Sequence, residues 1–487
     1  MLDKLNLGGM MPGGEAEQQK PPPIAEFEGR VECPLFSETC KITLEKDGLS
    51  LVSRFQQLPV LYGEIHSIES SPYSLSIQTA CGQVSFSQMG PQLEWLTDKL
   101  KDAYNDAVAS ALLATGDPVI SAAGSYAAEE YGSTHQGDAE IRLYEDCLCI
   151  LPPNENARRL PLCFLTGAEK SGYSLTLTLS TGEKYTLSRL GRELDPLDDG
   201  ITKQLRALRE KTAEWHKKLA PSLGGMQAAM AGSLMPMGRA SDFGKLQAAV
   251  PPMSAALEQK LKESRVANYL PWLRELCGGE GLMVGALPPP VPAEGASPGE
   301  GIPANLLSQL KLPLLQQQGE TAGEGEEVPA EPAPILWLMA PDIEGGVAAV
   351  ELALADNEAA ATYLYRIEGE WERFAAVIDR ALEAAGFQRE PIFLSEEKLS
   401  APEHINDAML IKRTPAIMAL RRCFAGRAVH SSLQRWKNDI EKCRAAAAGE
   451  AAESAPAQQQ KVKFCTNCGN KLSAEAKFCG ECGAKQN

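Results

Sequence analysis

The sequence predicts a multidomain α+β protein. It reads as two tandem small β-barrel-plus-helix domains, a linker-rich middle, an α+β domain and a C-terminal four-cysteine module. Three observations predict this. A pattern of short strands closed by a helix begins near residue 26 and returns roughly a hundred residues later. Apolar patterning then lapses through a Gly-, Pro- and Met-rich stretch and resumes at Ile335. Near the end, Cys465-Thr466-Asn467-Cys468-Gly469 is repeated fourteen residues on as Cys479-Gly480-Glu481-Cys482-Gly483.

Residues 1–25 are rich in Gly, Pro, Gln and Met and end on Pro21-Pro22-Pro23, a disordered composition. The first barrel is expected over 26–115. Ile42-Thr43-Leu44 and Leu49-Ser50-Leu51 flank Asp47-Gly48, a hairpin signal. Tyr73-Ser74-Leu75-Ser76-Ile77 and Val84-Ser85-Phe86 flank Cys81-Gly82. After Pro91 the period changes, with Leu93, Leu96, Leu100, Ala103 and Tyr104 at helical spacing and Trp95 among them.

The second barrel is expected over 125–220. Ile141-Arg142-Leu143 and Leu148-Cys149-Ile150 flank Asp146-Cys147, and Leu160-Pro161 answers Leu58-Pro59. Tyr173-Ser174-Leu175-Thr176-Leu177 answers Tyr73 to Ile77, and Gly182 answers Gly82. A helix over about 197–219, carrying Trp215, closes the unit. The shared order predicts a duplicated domain; a hundred-residue period is too long for a solenoid.

Short strands closed by one tryptophan-bearing helix resemble the pleckstrin-homology-like barrel, over roughly 26–112 and 135–220. The resemblance implies a bent sheet with its open end plugged by the helix. Phosphoinositide-binding members of that superfamily carry a basic cluster on the first hairpin. Here the turns read Glu45-Lys46-Asp47-Gly48 and Tyr144-Glu145-Asp146-Cys147. Acidic turns repel a phosphate headgroup, so phosphoinositide binding is not expected, and a protein-binding or structural barrel is.

Residues 221–334 read as linker with short helices. One helix is expected near 255–277, kinked or ended by Pro271, and a short amphipathic one over 304–310. The acidic run from Gly319 to Pro334 reads as a solvated spacer. The α+β domain is expected over 335–446. Ile335 to Met339 reads as a buried strand, and Val350, Leu352 and Leu354 alternate before a hairpin partner at Tyr363 to Ile367. Trp371, Phe374, Ile378, Ala381, Leu382 and Ala385 then share a helical face that Gly386 stops. Further helices are expected near 402–424 and 427–445. Residues 447–460 read as a tether and 461–487 as the terminal module.

A Cys-x-x-Cys loop presents two sulfurs to one metal, and two such loops close a tetrahedral site. Thiolates favour zinc over magnesium or calcium. Phe464 and Phe478 precede the pairs and are expected to pack together, and Gly469 and Gly483 follow them. So short a segment needs the metal to fold. Cys465, Cys468, Cys479 and Cys482 are therefore the expected ligands of one structural zinc per chain. The stretch resembles the short zinc-ribbon module at the ends of many bacterial multidomain proteins. A redox pair or disulfide staple is the competing reading, though redox motifs come singly on a βαβ pattern that is absent here. Four thiolates also suit an iron–sulfur or rubredoxin-like iron site.

Nine further cysteines are irregularly spaced and read as reduced thiols of a cytoplasmic protein. Cys147 and Cys149 share a strand face and read as core rather than a second metal site. The start lacks the apolar run of a secretory signal, and no stretch approaches a membrane span. The formal net charge of −17 opposes general nucleic-acid coating. Two local basic sets stand out: the module's lysines (Lys461, Lys463, Lys471, Lys477, Lys485), and Lys412, Arg413, Arg421, Arg422, Arg427, Arg435 and Lys437.

No phosphate loop, Gly-x-Ser-x-Gly elbow or His-Glu-x-x-His is present, and the five histidines are scattered. No catalytic residues and no organic cofactor are expected. The function expected is that of a zinc-binding, non-enzymatic adaptor with protein partners. A nucleic-acid-associated factor is the alternative, and an enzyme hidden in 335–446 the second.

Overall fold

A computed structural model describes residues 22–288, 334–353, 361–454, 462–464 and 471–473. The expected disorder of 1–25, the short helix over 304–310, the acidic spacer and most of the four-cysteine module lie largely or wholly outside these residues. The described chain divides into two compact units, one covering 1–108 with 153–155 and one covering the rest.

The smaller unit is a curled seven-stranded antiparallel sheet. Its strands are β1 (Ala25–Glu32), β2 (Ser37–Leu44), β3 (Gly48–Val52), β4 (Gln57–Leu61), β5 (Ile65–Ser70), β6 (Leu75–Thr79) and β7 (Gly82–Ser87), in the order β4-β3-β2-β1-β7-β6-β5. Helix α1 (Gln92–Ala111) follows. The face expected from spacing is the buried one: Leu93, Leu96, Leu100, Ala103 and Tyr104. Trp95 is instead 71 % exposed, so the indole is no part of this core.

The larger unit opens with β8 (Ile120–Glu130), β9 (Ser133–Leu143), β10 (Cys147–Leu151), β11 (Arg158–Pro161), β12 (Leu165–Ser171), β13 (Ser174–Leu179) and β14 (Lys184–Ser188). Their order, β11-β10-β9-β8-β14-β13-β12, repeats that of the first sheet. The irregularities repeat too. Register slips between Ile65 and Ser67 in β5, and between Leu165 and Gly167 in β12. Gln88 and Gly90 have φ of 57° and 55°, and Arg189 and Gly191 have 57° and 58°. Glycine adopts this left-handed backbone readily, whereas Gln and Arg do so at a cost. The same chain reversal therefore precedes both helices.

Helix α2 (Leu194–Leu219) departs from the repeat. Its first half packs Leu194, Leu197 and Ile201 into the second curled sheet. Its second half carries Trp215 and Leu219 into the core of the next layer. Residue 220 is therefore not a domain boundary, and Trp215 serves a different core from the one its place in the repeat implied.

The expected linker is folded as far as Leu287. It forms α3 (Gly225–Leu234), β15 (Ser241–Asp242), α4 (Phe243–Ala249), α5 (Pro251–Glu263), α6 (Leu270–Leu276) and β16 (Met283–Leu287). Its Ala and Met residues are core: Ala228, Ala231, Met235 and Met253 are fully buried. Small residues there let α3 approach α2 closely. Pro271 stands at the start of α6, where a missing N–H costs nothing.

A six-stranded antiparallel sheet completes the unit, in the order β15-β16-β17-β18-β19-β20. Its later strands are β17 (Ile335–Asp342), β18 (Val347–Leu352), β19 (Ala361–Arg366) and β20 (Phe424–Val429). The last was expected as helix. The α+β domain thus begins with β15, well before residue 335. Gly285 pairs with Trp337, and a Cβ on Gly285 would run into the indole. Leu336, Leu338 and Ala340 face the α3–α6 layer.

Helix α7 (Trp371–Ala384) is buried around most of its girth. After it come α8 (Glu390–Phe393), α9 (Glu396–Leu399), α10 (Ile405–Lys412), α11 (Pro415–Cys423) and α12 (Leu433–Ser454). Helix α12 runs through the start of the expected tether, with Trp436, Ile440 and Ala447 in the core. Finally, β21 (Val462–Phe464) and β22 (Lys471–Ser473) form a two-stranded sheet.

Candidate functional site

Phe464 pairs with Lys471 across the β21–β22 hairpin. The six residues connecting these strands include Cys465 and Cys468. Four thiols in the sequence are a donor set that suits zinc. Cys465, Cys468, Cys479 and Cys482 themselves lie outside the described residues. Among the described residues no cluster of His, Cys, Asp and Glu could hold a metal. Cys147 and Cys149 are buried free thiols of β10. The neighbouring Cys149 and then burial push the Cys147 thiol far above its usual range.

The larger unit also contains a cleft of about 940 Å³ that sequence reasoning missed. Its walls come from the β11–β12 connection, from α2 and α3, and from the end of α7. Most of the lining is apolar, with Leu162, Leu165, Leu205, Leu208, Met237 and Phe387 prominent. Arg159 closes the floor at 6 % exposure. It donates to Glu383 at 2.5 Å and to Asp146 at 3.0 Å, while its Nε has no partner among the described residues. Arg380 bridges Glu383 at 3.0 Å and also donates to the Arg159 carbonyl. This network clamps the second curled sheet to α7. It also occupies Asp146, one of the acidic residues of the second repeat's Tyr144-Glu145-Asp146-Cys147 turn.

Arg239 lies beside this network: its guanidinium and that of Arg380 each stand 5.8 Å from the Phe164 ring centre. Gly238, with φ of 86°, turns the chain before Arg239. Asp379 fixes the far side of the turn by accepting the Ala240 N–H at 2.8 Å and the Trp337 indole N–H at 2.8 Å. Burial pushes the Asp379 carboxyl up to about 7, although both hydrogen bonds oppose that shift. Arg206, Arg209 and Arg239 line the cleft, and none has an ion pair among the described residues. The cleft holds no histidine. Burial and Glu383 push the Cys163 thiol well above its normal range, which keeps it protonated and a poor nucleophile.

The second basic set does not form one surface. Arg413 is buried, Arg421 is committed to Glu396 and to the carbonyls of Pro391 and Ile392, and Lys437 lies over the Trp272 ring. His430 sits in the core beside Glu351 (3.2 Å) and Thr362 (3.1 Å), with Tyr269 stacked on it at 4.0 Å. Trp436 Nε1 donates to Thr362 at 2.8 Å, so this network ties α12 to the sheet. Among the described residues no helix is long and apolar enough to cross a membrane.

Residues 464–486 match the zinc-ribbon domain family. The match spans both cysteine pairs and almost nothing else of the chain. No curated protein matches the chain.

Proposed function

We propose that the chain is a zinc-binding, non-enzymatic adaptor. Cys465, Cys468, Cys479 and Cys482 hold one zinc per chain, which closes the terminal module structurally. The observation that carries this is the zinc-ribbon match over both Cys-x-x-Cys pairs. The two curled sheets are read as pleckstrin-homology-like barrels that contact protein partners rather than phosphoinositides. A module closed by its own metal can add a second weak contact, and tethered contacts gain avidity through effective concentration.

Metal analysis of the purified chain tests the first part. One zinc per chain is expected, and none after Cys479→Ser with Cys482→Ser. Unchanged zinc in that variant removes the assignment.

Affinity recovery from the native host, with and without nuclease, tests the second. Nuclease-resistant protein partners support the adaptor. Recovery lost to nuclease favours a nucleic-acid-associated factor, a reading supported by Lys461, Lys463, Lys471, Lys477 and Lys485 in the module. The dispersal of the second basic set weighs against it, because counterion release needs clustered cations.

A further inference from the structure

The cleft of the larger unit is assigned no role by the adaptor reading. Its volume of about 940 Å³ lies in the range that encloses a drug-sized ligand. Leu162 and Leu165, Leu205 and Leu208 of α2, and Met237 and Phe387 give it a largely apolar lining. An apolar cavity alone would suit any greasy molecule. This one is lined by four arginines against three acids: Arg159 is paired with Asp146 and Glu383, which leaves Arg206, Arg209 and Arg239 without an ion pair among the described residues and Glu210 beside them. On a chain of net charge −17, such a local excess of cations runs against the field of the whole. At the floor, the Arg159 side chain is more than nine-tenths buried and still leaves its Nε without a partner among the described residues. A buried donor left unsatisfied costs free energy that an acceptor in the cavity would recover. The backbone on both sides of Arg239 is fixed. Gly238 makes the turn before it, the Asp379 carboxyl grips Ala240 after it, and its guanidinium lies 5.8 Å from the Phe164 ring centre.

We propose that this cleft binds a single-chain anionic amphiphile, with the apolar walls taking the chain and Arg239, flanked by Arg206 and Arg209, taking the charged headgroup. The guanidinium fork matches a carboxylate or a phosphate monoester equally, so the headgroup chemistry shared by both is what the site reads.

Calorimetric titration of the full-length protein tests this, with dodecanoate, monododecyl phosphate and dodecanol as probes, each below its aggregation threshold. Saturable binding of one anionic probe per chain is expected, with dodecanol about tenfold weaker or worse, a difference of ~1.4 kcal/mol. The better of the two anionic probes identifies the headgroup. Arg239→Gln should weaken the anionic probes by about tenfold and leave dodecanol unchanged. Should that variant fold poorly, Arg206→Gln with Arg209→Gln changes only exposed side chains and should give the same selective loss. Ala229→Trp projects a bulky group into the cleft from an exposed position on α3 and should abolish binding of all three probes. No saturable binding, equal affinity for dodecanol, or unchanged affinity in Ala229→Trp would overturn the proposal.

Discussion

Two buried titratable residues give the larger unit opposing responses to pH. His216 is fully buried on α2, neither ring nitrogen has a partner among the described residues, and burial pushes it down to about 4. The unfolded chain takes up a proton near pH 6.5 that the folded chain refuses. Stability from this group is therefore intact above about 6.5 and falls as the pH drops towards 4, by up to roughly 3 kcal/mol. Asp379 works the other way. The folded chain keeps its proton up to about 7, whereas the unfolded chain releases it near 3.8. Its contribution is most favourable below about 4 and declines as the pH rises to about 7. Between pH 4 and 6.5 the two slopes oppose each other and mask one another in the parent protein. Denaturant unfolding across that window should separate them. His216→Phe is expected to leave stability that falls with rising pH. Asp379→Asn is expected to leave stability that rises with pH. It should also carry a constant loss of about 1–3 kcal/mol, because the amide satisfies only one of the two donors. Parallel pH profiles for both variants and the parent would refute the assignment.

At the level of elements, Gly285 marks the difference between a linker and a strand. It lies in β16, in register with Trp337, where any Cβ meets the indole ring. Gly285→Ala should destabilise the larger unit by about 1–3 kcal/mol through overpacking. A glycine in a solvated linker would respond with no loss or a small gain. Residues 221–288 looked like linker because Ala, Gly and Met carry little periodic signal. Yet those small side chains are what allow α3 to lie against α2. By contrast, α1 and the hairpins were legible, because Leu93, Leu96, Leu100 and Tyr104 keep helical spacing and the strands alternate. The second repeat was legible for the same reason, down to Tyr173 and Gly182. The pairs of left-handed residues at 88 with 90, and 189 with 191, were not, since Gln88 and Arg189 are poor indicators of positive φ. The cysteine pairs are local in sequence and could be read directly. The cleft could not. Arg159, Arg239 and Glu383 are far apart along the chain, and Asp379, Arg380 and Glu383 lie off the apolar face of α7 that the spacing marks. Only the second layer of packing makes them interior.

Across the whole molecule, the second curled sheet and the six-stranded sheet are joined through α2 and the Arg159–Glu383–Arg380 network, and they form one body with the cleft inside it. The terminal module differs in kind. The strands β21 and β22 pair with each other in a separate two-stranded sheet, and the metal expected there closes a fold too short for a core of its own. Such a module should be energetically independent of the rest. Chelation should therefore release zinc without moving the main thermal transition. A chain truncated after Ser454 keeps all of α12, including the buried Ala447, and should melt within about 1 °C of the full-length protein. A fall of about 3 °C or more corresponds to roughly a kcal/mol in a body of this size. Such a fall would mean that the module docks on the larger unit and caps it, and its proposed role as a separate contact would fail.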